Sequence, residues 1–197
     1  MLSNPPKELP QTIGFILLPR FSMIAFTAAV EALRQANRLS DRELYRWPVF
    51  SIDGEPVAAS SGLVFTPEGD LEAASKLQTI ALCGGVDVQK IDDRRLIPWL
   101  RRMARQGSTL GAMCTAPYIL AKAGLLNDVA CTIHWENLAA FVEEFPELDV
   151  SNELFEIDRN RFTCAGGTAP LDMMLNVIAQ QHGHELAAAV AEQFMHE

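Results

Sequence analysis

Two side chains able to do covalent chemistry stand twenty positions apart: Cys114, inside the run Gly111-Ala-Met-Cys-Thr-Ala-Pro117, and His134. A thiol at the tip of a sharp bend between a strand and a helix is a nucleophile elbow. Such a bend strains its central residue and admits only small side chains two positions to either side, a condition that Ala112 and Ala116 meet. At that tip the sulfur faces the backbone amides that open the helix. Their partial positive charge is expected to favour the thiolate and lower the thiol pKa. With His134 as base, this would be a cysteine-dependent acyl-transfer site. The pattern is loose, however, and a buried cysteine at a strand end satisfies it equally well. A lone histidine likewise reads as a hydrogen-bonded structural residue unless the fold brings it within about 4 Å of the sulfur.

Other residues could complete such a site. Gly84-Gly85 follows an apolar run, so its amides, with the Thr115 N–H, could form an anion pocket; a tight turn explains the same pair. Trp135 adjoins His134 and offers a π face to a cationic ligand. The arginines at 94, 95, 101, 102 and 105 read as a solvated helix face or a partner surface. Glu31 has Arg34 at helical spacing. No Gly-rich phosphate loop, His-Glu-x-x-His motif or paired-carboxylate signature occurs, so neither cofactor nor metal is expected.

The elements that must hold these residues alternate. Ile13 to Leu18, closed by Pro19, reads as a buried strand, and a helical stripe from Ser22 to Asn37 follows. Strands are expected near Trp47 to Ile52, as a hairpin over Val57 to Phe65 broken at Ser60-Ser61-Gly62, and at Thr79 to Cys83. A helix over Ile97 to Arg105 precedes a strand over Ser108 to Ala112. The helix that this strand feeds runs from Thr115 to Gly124. Then come a helix over Trp135 to Glu144, strands over Leu154 to Ile157 and Arg161 to Cys164, a helix capped by Thr168 and stopped at Gly183, and a last helix from about Glu185. This alternation predicts a doubly wound α/β domain, a mostly parallel sheet flanked by helices, spanning 1–197 as one unit.

Composition bounds the rest. At 49% apolar residues, 197 positions suffice for one sizeable core. The 16 basic against 25 acidic residues give a net charge of −9, with no electrostatic reason to hold a phosphate backbone. Cys83, Cys114, Cys131 and Cys164 are unevenly spaced with no Cys-x-x-Cys pair, which fits a reducing cytoplasm, although two disulfides are countable. The polar, Pro-rich start Met1–Pro10 has no apolar signal core, and no run reaches membrane-spanning length.

Leu110–Leu126, Thr132-Ile-His-Trp-Glu136 and Cys164-Ala-Gly-Gly-Thr-Ala-Pro-Leu-Asp172 together resemble the class I glutamine amidotransferase-like superfamily that contains the PfpI proteins. With Phe21-Ser-Met23 and Glu31–Asn37, the chain is similar, more narrowly, to the sensory domain of AraC-type transcriptional regulators. The resemblance implies a flavodoxin-like three-layer sandwich. It also implies recognition of a small amino-acid-like or quaternary-ammonium metabolite near Gly84, Gly85, Cys114, Thr115, His134 and Trp135, and homodimer formation. DNA contact is implied only through a C-terminal helix-turn-helix domain that would begin about where this chain stops. The alternative it implies is a cysteine-dependent hydrolase or glyoxalase-like enzyme using Cys114 and His134. The carboxylate that enzymes of the superfamily place early in the first helix would fall near Ala25, which cannot serve, and Glu31 lies two turns further along.

Overall fold

A computed structural model describes every residue except Met1, Ser3, Lys7, His196 and Glu197, so the two ends of the expected 1–197 domain lie partly outside the described residues. In chain order the elements are β1 (Gln11–Leu17), α1 (Met23–Ser40), β2 (Tyr45–Arg46), β3 (Val49–Ser51), β4 (Val57–Ala58), β5 (Val64–Phe65), α2 (Leu71–Ala74) and β6 (Thr79–Cys83). They continue with α3 (Leu96–Arg105), β7 (Thr109–Met113), α4 (Pro117–Lys122), β8 (Ala130–Cys131), α5 (Trp135–Glu144) and β9 (Asp149–Val150). The last are β10 (Phe155–Asp158), β11 (Arg161–Cys164), α6 (Ala169–His182) and α7 (His184–Gln193). A 3-10 turn spans Val88–Lys90.

The main sheet runs β10-β11-β7-β6-β1, with β2 and β3 both pairing with the outer side of β1. All its pairs are parallel except β10 with β11. The alternation of side chains along each strand divides the core into two layers. On β1, Ile13, Phe15 and Leu17 pack with α1, α6 and α7, whereas Ile16, with Leu18 just after the strand, packs with α2, α3, α4 and α5. Helices thus cover both faces, as the alternating pattern requires.

Local chemistry sets the joints. Phe162 lies opposite Gly111 in the β11–β7 register, and a Cβ at Gly111 would stand 2.0 Å from its ring, so only glycine lets the ring cover β7. The strand expected at Trp47 to Ile52 forms only over Val49–Ser51, and β2 precedes it at Tyr45–Arg46; between them Pro48 has no N–H for the ladder and supplies only its carbonyl, to Phe15 N–H. The hairpin forms as β4–β5, antiparallel, and Glu31 pairs with Arg34. Thr168 does not cap α6 with its side chain, because its own backbone is already in the helical region. The four cysteines are free, so the countable disulfides are not formed. The short α2 and the β8–β9 pair, four and two residues long, were too brief to show a period.

Strand order reverses at β1. The chain goes outward from it to β3 and then back across it to β6. Loops leaving the carboxyl ends of β1 and β6 therefore diverge, which opens a crevice at that edge of the sheet.

Candidate functional site

A cleft of about 430 Å³ occupies that edge. Ser22 comes from the end of β1, Gly85, Val86, Asp87 and Gln89 from the end of β6, Cys114 and Thr115 from the end of β7, and His134, Glu136 and Asn137 from the start of α5. Cys114 sits at φ 62°, a left-handed conformation that costs a non-glycine residue of order 1 kcal/mol and that the elbow geometry requires. Its N–H donates to the Cys164 carbonyl, and its own carbonyl accepts the His134 N–H at 2.9 Å. Gly166 leaves room beside it: a Cβ there would lie 3.1 Å from Sγ. The expected elbow is therefore present, with Ala112 and Ala116 both buried beneath it.

The charge state of the thiol departs from expectation. Cys114 is only 6% exposed, and this burial pushes its pKa up to about 11, with Glu136 adding to the push. The Thr115 N–H and the Ser22 hydroxyl oppose it through hydrogen bonds to sulfur, but they do not prevail. The expected lowering by helix amides fails for a physical reason. Helix α4 has six residues and begins three positions after Cys114, so its dipole is small and remote, whereas desolvation acts on the whole thiolate charge.

The other expected site residues are distributed unequally. The Gly84 N–H donates to the Met113 carbonyl, which removes it from any anion pocket. What both glycines provide is close approach: a Cβ on Gly84 would lie 2.4 Å from Ala116 N, and one on Gly85 would lie 2.0 Å from the Arg20 carbonyl oxygen. Thr115 donates its hydroxyl to the Gly85 carbonyl at 2.6 Å, binding the elbow to the β6 loop. His134 lines the cleft and caps α5, its Nδ1 accepting the Glu136 N–H at 3.4 Å. The same Nδ1 lies 3.9 Å from Glu136 Oε2. His134 is not among the groups that shift the thiol. Trp135 is 73% exposed, with its ring 5.9 Å from the His134 ring, and it stands outside the cleft lining.

Sequence reasoning missed Ser22 and Glu136. Ser22 makes no side-chain cap bond to α1, which leaves its hydroxyl for the sulfur. Ala25, where the first-helix carboxylate was sought, is fully buried at 1% exposure, and Glu31 is paired with Arg34. A serine directly before a helical stripe and an acid two places after His134 were visible in the sequence, but their convergence on one thiol was not. Among the described residues, no group of three or more metal-binding side chains is gathered, and no helix is long and apolar enough to cross a membrane.

The sequence and the fold have counterparts among known proteins. The chain matches the DJ-1/PfpI family over residues 11–180. It is 50% identical over 193 residues to the HTH-type transcriptional regulator GbdR of Pseudomonas aeruginosa, covering 98% of this chain and 53% of that protein. It is 46% identical to the HTH-type transcriptional regulator CdhR of the same organism, covering 95% and 55%. A crystal structure of an AraC family transcriptional regulator from Pseudomonas putida superposes with a TM-score of 0.86 at 30% identity, covering 94% of this chain and all of that one. The chain spans about half the length of the curated relatives it matches. It belongs to the DJ-1/PfpI family, and it shares about half its residues with helix-turn-helix transcriptional regulators.

Proposed function

We propose that this chain is the ligand-sensing part of an AraC-type transcriptional regulator and that a small amino-acid-like or quaternary-ammonium metabolite binds in the cleft at Cys114. One observation carries this reading: the sulfur sits in the wall of an open cleft, yet burial holds it protonated, so it contributes shape and a weak donor and not a nucleophile. Glu136 gives the cleft a carboxylate for an ammonium group, and the exposed Trp135 ring stands close by as a π face. The similarity to HTH-type regulators supports the regulatory role. In this reading the domain works in the cytoplasm as a homodimer, and DNA is contacted by a separate domain. To act as a switch, the ligand must distinguish two arrangements of that dimer by about 1 to 3 kcal/mol.

The test is calorimetry and thermal shift with glycine betaine, carnitine, arginine and related amines, on the chain as it stands and on Glu136→Gln. Saturable binding weakened by the substitution supports the proposal. Silence across the panel, or binding indifferent to Glu136, removes it. The strained φ of Cys114 favours a second reading, a cysteine-dependent enzyme. Turnover of an amide, ester or dicarbonyl that is lost in Cys114→Ser would establish it.

A further inference from the structure

A larger cavity, of about 580 Å³, lies next to the Cys114 cleft and shares only Val86 and Asp87 with it. Its floor is hydrocarbon, including Ile52, Val57 and Ile91. Its rim is charged, and the charges do not balance. Both bases at the rim, Arg20 and Lys90, are already engaged with one carboxylate, Asp87, which holds the wall between the two cavities in a left-handed turn at φ 62°. Asp93 is neutralised by Arg95, and Asp53 accepts the Glu55 N–H within its own turn. Asp53, Glu55 and Asp92 remain, all exposed and none in an ion pair among the described residues.

An apolar chamber whose rim carries three carboxylates in no ion pair, against the one base in excess at Asp87, selects one kind of molecule. Hydrocarbon gains by leaving water for the floor, and a cation gains from a rim on which acids outnumber bases. A neutral hydrocarbon would forgo the second gain, and an anion would meet repulsion. We propose that this cavity is a second ligand site, distinct from the Cys114 cleft, and that it takes an organic cation with an alkyl chain. The ammonium lies against Glu55 and Asp92, and the chain on Ile52, Val57 and Ile91. The proposal does not depend on the reading given to the Cys114 cleft.

Hexylamine, protonated at pH 7, is the probe, with hexan-1-ol and hexanoate as neutral and anionic controls. Binding is followed by methyl and amide NMR shifts and by calorimetry. Hexylamine should bind saturably, with shifts centred on Ile52, Val57 and Ile91, more tightly than hexanol and far more tightly than hexanoate. Glu55→Gln with Asp92→Asn should weaken the amine about fivefold or more and leave hexanol unchanged. Raising the salt to 1 M should weaken the amine in the same direction, and Cys114→Ser should leave it unaffected. These two rim carboxylates are exposed, so their substitution leaves the core intact. The site is overturned if no saturable binding occurs up to about 10 mM, if hexanol matches hexylamine, if the paired substitution changes nothing, or if the shifts centre on the Cys114 cleft.

Discussion

Cys114 and Cys131 occupy unlike places and arrive at the same thiol pKa, about 11. Cys114 stands in the left-handed turn of the elbow, in the wall of a cleft, whereas Cys131 lies on the two-residue β8 with its carbonyl receiving the Ser151 N–H. Burial is the largest cause at both. They differ in their neighbours. At Cys114 an amide and a hydroxyl act against the push, while at Cys131 the carboxylates of Asp149 and Glu156 add to it. An elbow therefore supplies donors to a sulfur without ionising it. Ionisation needs a cation or water at the thiolate, because two hydrogen bonds do not replace the hydration of a full charge.

The most forceful way to break the comparison is to break the elbow alone. In Gly84→Ala the new Cβ meets Ala116 N at 2.4 Å and Thr115 Oγ1 at 2.8 Å. Because the obstacle is backbone, we expect a loss of about 3 kcal/mol in urea unfolding, at the upper end of overpacking effects. A wild-type midpoint in this variant would mean that the two strand-end loops are free to part.

Alkalinity should act on both cysteines together. Each thiol has a folded pKa above its ordinary value of 9.0, so the unfolded chain loses these protons first. The stability they contribute is complete below about pH 8.5 and falls as pH rises towards 11. Each accounts for about 2 to 3 kcal/mol of that loss, which Cys114→Ala or Cys131→Ala should remove from the pH dependence of the urea midpoint. If only Cys131→Ala flattens the curve, the elbow does ionise its sulfur and the comparison fails. Alkylation by iodoacetamide supplies the direct reading for Cys114. At pH 8 roughly one thiol in a thousand is ionised, so its rate should climb tenfold per pH unit up to about 11. A plateau near neutrality would contradict this.

Smaller effects sharpen the contrast. His134→Ala removes the cap on α5 and should cost about 0.5 to 1 kcal/mol, because the Glu136 N–H loses its acceptor. Glu136→Gln should lower the Cys114 pKa and Ser22→Ala should raise it, both read from the alkylation profile. Neither should move Cys131, whose carboxylate neighbours are Asp149 and Glu156.

Much of the frame was readable before any coordinates. Thr79–Cys83 and Trp135–Glu144 form with the boundaries that their apolar spacing and caps suggested, and the 57–65 hairpin breaks where the Ser-Ser-Gly turn falls. These elements were legible because local periodicity and turn chemistry act over a few residues. The site was legible only in part. Small residues around Cys114 announced the turn, but nothing near it in the chain announced Ser22, 92 positions earlier, or the depth at which the sulfur is covered. The larger cavity was invisible for the same reason: its floor draws on residues from 52 to 91 that share no motif.

The amino-acid order alone determined that strands and helices alternate, that only small side chains flank Cys114 two positions to either side, and that Ala25 offers no carboxylate. Those properties follow from backbone preferences and side-chain size, which each residue carries with it. Tertiary structure alone decided that the thiol keeps its proton, that Gly84 turns its N–H inward to Met113, and that Asp53, Glu55 and Asp92 find no ion-pair partner among the described residues at the rim of an apolar floor. Each of these depends on what distant segments displace: water from around a charge, or a base from beside an acid. Such displacement exists only once the layers have closed.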